Sequence, residues 1–192
     1  MKRRVYLDHL SGGPLAPEVS AAMSPWLDEI HGNAASLHRH GLKAREALDT
    51  AAAQCAAMIN APADDLVFTS SGTEANNLAV KGVAEAQRER GTHLILSNIE
   101  HPSIDQSVAW LEQQGFTATR VPVDREGRLS VGAVMEAITE KTILIATHHA
   151  NHDLGTVQNL PALGALAGER GIPLLIDCLL YTSDAADDVI SV

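Results

Sequence analysis

Aromatic side chains make up only 3% of the 192 residues, and bases are outnumbered by acids, which leaves a net charge of −10. Such a chain offers phosphates no basic stripe and nucleobases no stacking platform, so nucleic acid is excluded as a partner. No run approaches the ~18 apolar residues of a membrane-spanning helix, and no membrane association is expected. The start, "MKRRVYLDHL", is basic but has neither an apolar stretch nor a small-residue cleavage site, so no signal peptide is read. Cys55 and Cys178 are the only cysteines. They form neither a disulfide framework nor a metal spacing, which suits a reducing, cytoplasmic setting. Internal repeats and low-complexity linkers are missing as well.

What is present is a regular alternation. Strand-like apolar runs occur at "LVFTS" (66–70), "HLILSN" (93–98), "TATRVPV" (117–123), "TILIATHH" (142–149) and "IPLLID" (172–177). Helical periodicity falls between them, roughly over 73–90, 102–114, 130–140 and 160–170, with two earlier helices near 17–30 and 41–59. Strands alternating with helices through short connections predict an α/β fold, a mostly parallel sheet flanked by helices on both faces. In such sheets ligands gather outside the carboxyl ends of the strands. The residues just after each strand therefore carry the functional question.

Those residues are polar and reactive. Ser70, Ser71, Gly72 and Thr73 stand where the first strand hands over to a helix. A helix start leaves backbone N–H groups unpaired, and the helix dipole favours an anion there, so the knot suits a phosphate. An ordinary cap through Ser71 or Thr73 would use the same residues. His101 opens a helix just ahead of Pro102, where its ring could stack on a planar cofactor or move a proton. Asp177 ends an apolar strand and is expected to be half buried; a buried acid requires a cation or a protonated ring nitrogen. The pyridinium of pyridoxal phosphate is one such partner.

Taken together, "VYLDHLSGGPLAPEV" (5–19), "HGNAASLHRHGLKAREAL" (31–48), "FTSSGTEANNLAVKG" (68–82), "SNIEHPSI" (97–104), "VPVDREGRL" (121–129) and "HANHDLGTVQ" (149–158) resemble the N-terminal part of the pyridoxal-phosphate-dependent cysteine desulfurases, within the class V aminotransferase family. The resemblance implies the large domain of an aspartate-aminotransferase-like fold, truncated. It implies that Gly72 and Thr73 hold the cofactor phosphate, that His101 stacks on the pyridine ring and is catalytic, and that Asp177 pairs with the ring nitrogen. His152 stands where many members carry an asparagine that reaches the ring hydroxyl. The implied reaction converts L-cysteine to L-alanine, passing sulfur to an enzyme persulfide for iron–sulfur cluster assembly or other sulfur transfer. A sulfur-acceptor protein and a homodimer are implied partners. A selenocysteine lyase, or another class V carbon–sulfur lyase, would look alike over these residues.

Two parts of that machinery are not found. The family's covalent anchor is a lysine beyond the ring-nitrogen acid, whereas Lys2, Lys43, Lys81 and Lys141 all precede Asp177. Lys81 and Lys141 read as solvated charges. The family's sulfur-accepting cysteine comes from a later loop; Cys55, in the alanine-rich "AAAQCAAMI", reads as a small buried hydrophobe. Alone, the chain is expected to be inactive and poorly soluble. After Asp177 the family pattern stops, and "CLLYTSDAADD" (178–188) resembles a translated sequencing adapter. The expected organisation is therefore 1–177 as the N-terminal part of the transferase domain and 178–192 as a non-native tail. A rival reading takes His148, His149, His152 and Asp153, with His101 or His38, as the metal site of a hydrolase. Neighbouring strand residues point to opposite faces, so His148 and His149 cannot readily share an ion, and no metal ligand is assigned. A non-catalytic fragment holding half a cofactor site is the third reading.

Overall fold

The computed structural model describes residues 5–6 and 13–178; the expected tail, apart from Cys178, lies outside them. The chain divides into two compact units, with the boundary along the chain between Leu66 and Val67. The first is helical, with α1 (Pro17–Asp28), α2 (Arg39–Met58) and a 3₁₀ turn at Ala63–Asp65. The second holds α3 (Gly72–Ala86), β1 (His93–Ser97), α4 (Pro102–Gln113), β2 (Thr117–Val121), α5 (Val131–Ala137), β3 (Thr142–His148), α6 (Leu160–Arg170) and β4 (Leu174–Asp177).

The four strands form one sheet in the order β2-β1-β3-β4, every pair parallel. The central strands β1 and β3 are buried along their whole length, as expected when helices cover both faces. Leu94 and Leu96 of β1 and Leu144 and Ala146 of β3 pack with Val80 and Ala84 of α3 and Ile104, Val108 and Leu111 of α4. The alternate positions Ile95 and Ile145 are buried on the other face; α5 packs against β2 and α6, and α6 against β4. Among the described residues no helix is long and apolar enough to cross a membrane.

The alternating pattern is realised with one exception. The segment at 66–70, expected as the first strand, pairs with nothing among the described residues, and Val67 and Phe68 are exposed. An apolar run becomes a strand only where a neighbour completes its ladder. Two side-chain expectations also change. Cys55 is exposed: α2 buries only Gly41 and Ala56, and one residue along a helix is about 100° round from its neighbour. Lys81 is not simply solvated, because its Nζ donates to Asn77 Oδ1 at 2.7 Å and sits 4.9 Å from the Trp110 ring centre.

Candidate functional site at the carboxyl edge of the sheet

Three strand ends and two helix starts converge here. At α3, the Ser71 hydroxyl accepts from the Glu74 N–H at 3.3 Å, so the ordinary cap is real. It satisfies one of the first N–H groups and leaves those of Gly72 and Thr73 with no protein acceptor among the described residues. Glu74 folds back to accept from the N–H and hydroxyl of Ser70, which hold its carboxyl below the usual range, the hydroxyl contributing most. A capped N–H and two uncapped ones therefore coexist in one turn.

His101 is the N-cap of α4, and its Nδ1 accepts from the Ser103 N–H at 3.1 Å. Pro102 follows at the first helical position, where a missing N–H costs nothing. Thr73, Asn77, His101, Ser103 and Trp110 line one open cavity of about 590 Å³. His152 presents its ring edge-on to His101, with centres 5.7 Å apart and planes at 67°. The loop that carries His152 is shaped by Asn151. Its Oδ1 accepts from the N–H groups of Asp153 and Leu154, and its Nδ2 donates to the Ile99 carbonyl. Gly155 closes the turn with φ +70°, a conformation that favours glycine.

Asp177 is more buried than the half expected, at 7% exposure. Its backbone carbonyl accepts from the His149 N–H, and its Oδ2 accepts from Asn76 Nδ2 at 2.9 Å. The structure thus brings His101, His152 and Asp177 together, with Thr73 on the same cavity as His101. It does not gather the histidines as a hydrolase site would need. His148 is occupied by Glu100 at 2.8 Å and Gln158 at 3.0 Å, and His38 caps α2 in the other unit. Among the described residues no group of three His, Cys, Asp or Glu is placed to hold a metal.

Sequence reasoning missed Asn76, Ser103 and the Glu100–His148–Gln158 line. Asn76 precedes Val80 and Ala84 at four-residue intervals, a polar residue on the buried stripe of α3. Such a residue must find a hydrogen-bond partner, and that was the available signal. Ser103 stands beside Ile104 on α4 in the same way. Glu100 carried no such signal. Its side chain is fully buried, with Oε1 taken by Ser97 and His148 and Oε2 without a partner among the described residues.

The start of α3, the His101 ring and the buried Asp177 carboxylate thus lie at the carboxyl edge of a parallel sheet, where α/β folds bind their ligands. The chain belongs to the class-V aminotransferase family, whose model matches residues 5–184. Among curated relatives it is 42% identical to "Cysteine desulfurase IscS" of Dictyoglomus turgidum over 172 residues, covering 90% of this chain and 44% of that protein. It is 39% identical to "Cysteine desulfurase IscS" of Methanosarcina thermophila over 187 residues, covering 97% of this chain and 46% of that protein. A solved structure described as "SspA in complex with cysteine" superposes with a TM-score of 0.86 at 36% identity, over 90% of this chain and 50% of that one. The chain thus spans about half the length of the curated relatives it matches.

The family is pyridoxal-phosphate-dependent, and the residues present fit that group. The unpaired N–H groups of Gly72 and Thr73 suit a phosphate, and the buried Asp177 carboxylate suits a protonated ring nitrogen.

Proposed function

We propose that the chain is the N-terminal part of a pyridoxal-phosphate-dependent cysteine desulfurase. The observation that carries this reading is Asp177: a buried carboxylate, at the end of a strand, held by Asn76 and linked through Ser103 to His101. In this reading Gly72 and Thr73 bind the phosphate through their N–H groups and the Thr73 hydroxyl. Asp177 faces the ring nitrogen and keeps it protonated. His101 covers the ring and moves a proton, and His152 reaches the ring hydroxyl as a hydrogen-bond donor. The cofactor, when bound, supplies an electron sink for charge developing on the substrate carbon.

The reaction balances without an external oxidant. L-Cysteine loses its sulfur to an enzyme thiol, the carbon–sulfur bond breaks, a sulfur–sulfur bond forms, and L-alanine leaves beside an enzyme persulfide. The sulfur then passes to an acceptor protein, for iron–sulfur cluster assembly or another sulfur-transfer use, in the cytoplasm. The enzyme is a homodimer, residues 1–177 are its own, and residues 178–192 are foreign to it. The accepting thiol and the anchoring lysine belong to the part of the enzyme beyond this chain's match, so the chain by itself binds but does not turn over.

The test is to read the source gene across the Asp177 codon, express the whole product and assay it with L-cysteine and L-selenocysteine. Stoichiometric alanine and persulfide from cysteine support the reading. Turnover of selenocysteine alone would move the assignment to a lyase of the same family. No carbon–sulfur cleavage by the complete protein would overturn it.

A further inference from the structure

Four side chains join the two ends of the site in one hydrogen-bonded line. Asn76 Nδ2 donates to Asp177 Oδ2 and to Ser103 Oγ, both at 2.9 Å. Ser103 Oγ lies 2.7 Å from His101 Nδ1, the nitrogen that the Ser103 N–H also reaches. Asn76, Ser103 and Asp177 are all buried, so water does not compete freely for these groups.

The direction of every bond follows from donor and acceptor chemistry. An ionised carboxylate only accepts, so Asp177 must face the NH₂ of Asn76 and thereby sets which way the amide points. That NH₂ has only hydrogens to give, so Ser103 Oγ accepts from it. A backbone N–H also only donates, so His101 Nδ1 receives the Ser103 N–H with its ring lone pair. The hydroxyl proton of Ser103 then points at the same lone pair. The neutral ring is left with its proton on Nε2.

We propose that Asn76 and Ser103 are positioning residues whose relay holds His101 as the Nε2–H tautomer and couples that choice to the charge on Asp177. This deepens the functional reading above and rests on it for its use: His101 offers or takes a proton at Nε2, never at Nδ1. Were Asp177 neutral and able to donate, the Asn76 amide could turn over and the Ser103 hydroxyl could reverse. The two groups assigned to the cofactor's ring nitrogen and to its ring face are therefore one proton-ordering unit.

The experiment reads the imidazole nitrogens of His101 directly. Whole chain labelled with ¹⁵N-histidine is examined by long-range ¹H–¹⁵N NMR, without cofactor, at a pH where imidazole is neutral. Wild type is expected to show Nδ1 unprotonated and Nε2 protonated. Ser103→Ala should raise the ratio of Nδ1–H to Nε2–H forms about fivefold, the worth of one ordinary hydrogen bond. Asp177→Asn, nearly isosteric, should move it the same way. Ser107→Ala is the control, because Ser107 is a buried hydroxyl on the same helix that donates to the Ser103 carbonyl and stands outside the relay. It should lower the melting temperature without changing the tautomer. An Nδ1–H wild type, an unmoved tautomer in Asp177→Asn, or an equal change in Ser107→Ala and Ser103→Ala would each overturn the proposal. Since no cofactor is present, failure of pyridoxal phosphate to bind would sink the functional reading and leave this result standing.

Discussion

The two units of the chain use similar apolar residues to different effect. From Val67 onward, Leu94, Ile104, Leu111, Ile143 and Leu144 are all but fully buried. In the helical unit, α1 buries nothing, although it contains Met23, Trp26 and Leu27, and α2 buries only Gly41 and Ala56. Both regions have helices with apolar stripes, so amphipathic pattern alone does not make a core. The sheet does, because it offers each helix a broad face on which side chains from several strands meet. The candidate site belongs wholly to the sheet unit: every residue assigned to it lies between Gly72 and Asp177. Its geometry should therefore follow the stability of that unit.

The largest expected contrast is between the two kinds of leucine. Leu144→Ala, on central β3, should cost roughly 3 kcal/mol by the lost transfer energy and the cavity left behind. Leu27→Ala, at 79% exposure, should stay within about 0.5 kcal/mol. Denaturant unfolding followed through the sheet unit checks both, and equal costs would break the comparison.

Next comes Glu100→Ala. It would strand the Ser97 hydroxyl and the His148 Nδ1–H in a buried place, at a cost of about 2 kcal/mol. A neutral result would mean that this line is not part of the scaffold. Arg120→Ala should cost less. Its guanidinium forks to Asp105 and Glu112, which hold it more firmly protonated than usual, the Glu112 hydrogen bond contributing most. These groups are about a third exposed, so screening limits the loss to roughly 0.5–1 kcal/mol, and added salt should shrink it further.

The smallest effect is a pH slope. Burial lowers the proton affinity of His93, whose ring lies between Thr142 at 2.8 Å and Thr119 at 2.9 Å. The unfolded chain then binds the proton more readily than the folded one, so stability is present above about pH 6.5 and is lost as pH falls below it. The stability gap between wild type and His93→Asn should therefore narrow from neutral pH toward pH 5. A gap that widens would contradict the sign.

Much of the architecture was legible because it is written in local pattern. Buried parallel strands read as continuous apolar runs, and each helix declares itself by its spacing. The segment at 66–70 read as a strand for the same reason, but pairing is a property of neighbours that a local pattern does not contain. His101 and Asp177 could be singled out because they stand next to element boundaries. Asn76 could not be given its role so easily, since its partners Ser103 and Asp177 lie 27 and 101 residues away in the chain. Cys55 failed by one helical step, a distinction that periodicity blurs in an alanine-rich helix with little amphipathic contrast.

In the proposed reading the start of α3 and the end of β4 together hold a phosphorylated pyridine. Equilibrium dialysis of the chain against pyridoxal phosphate and against pyridoxal tests it most directly, with Asp177→Ala alongside. Saturable binding of the phosphate ester is expected, with about tenfold weaker binding of pyridoxal and a further loss in the variant. Equal affinity for the two compounds, or binding indifferent to Asp177, would contradict it.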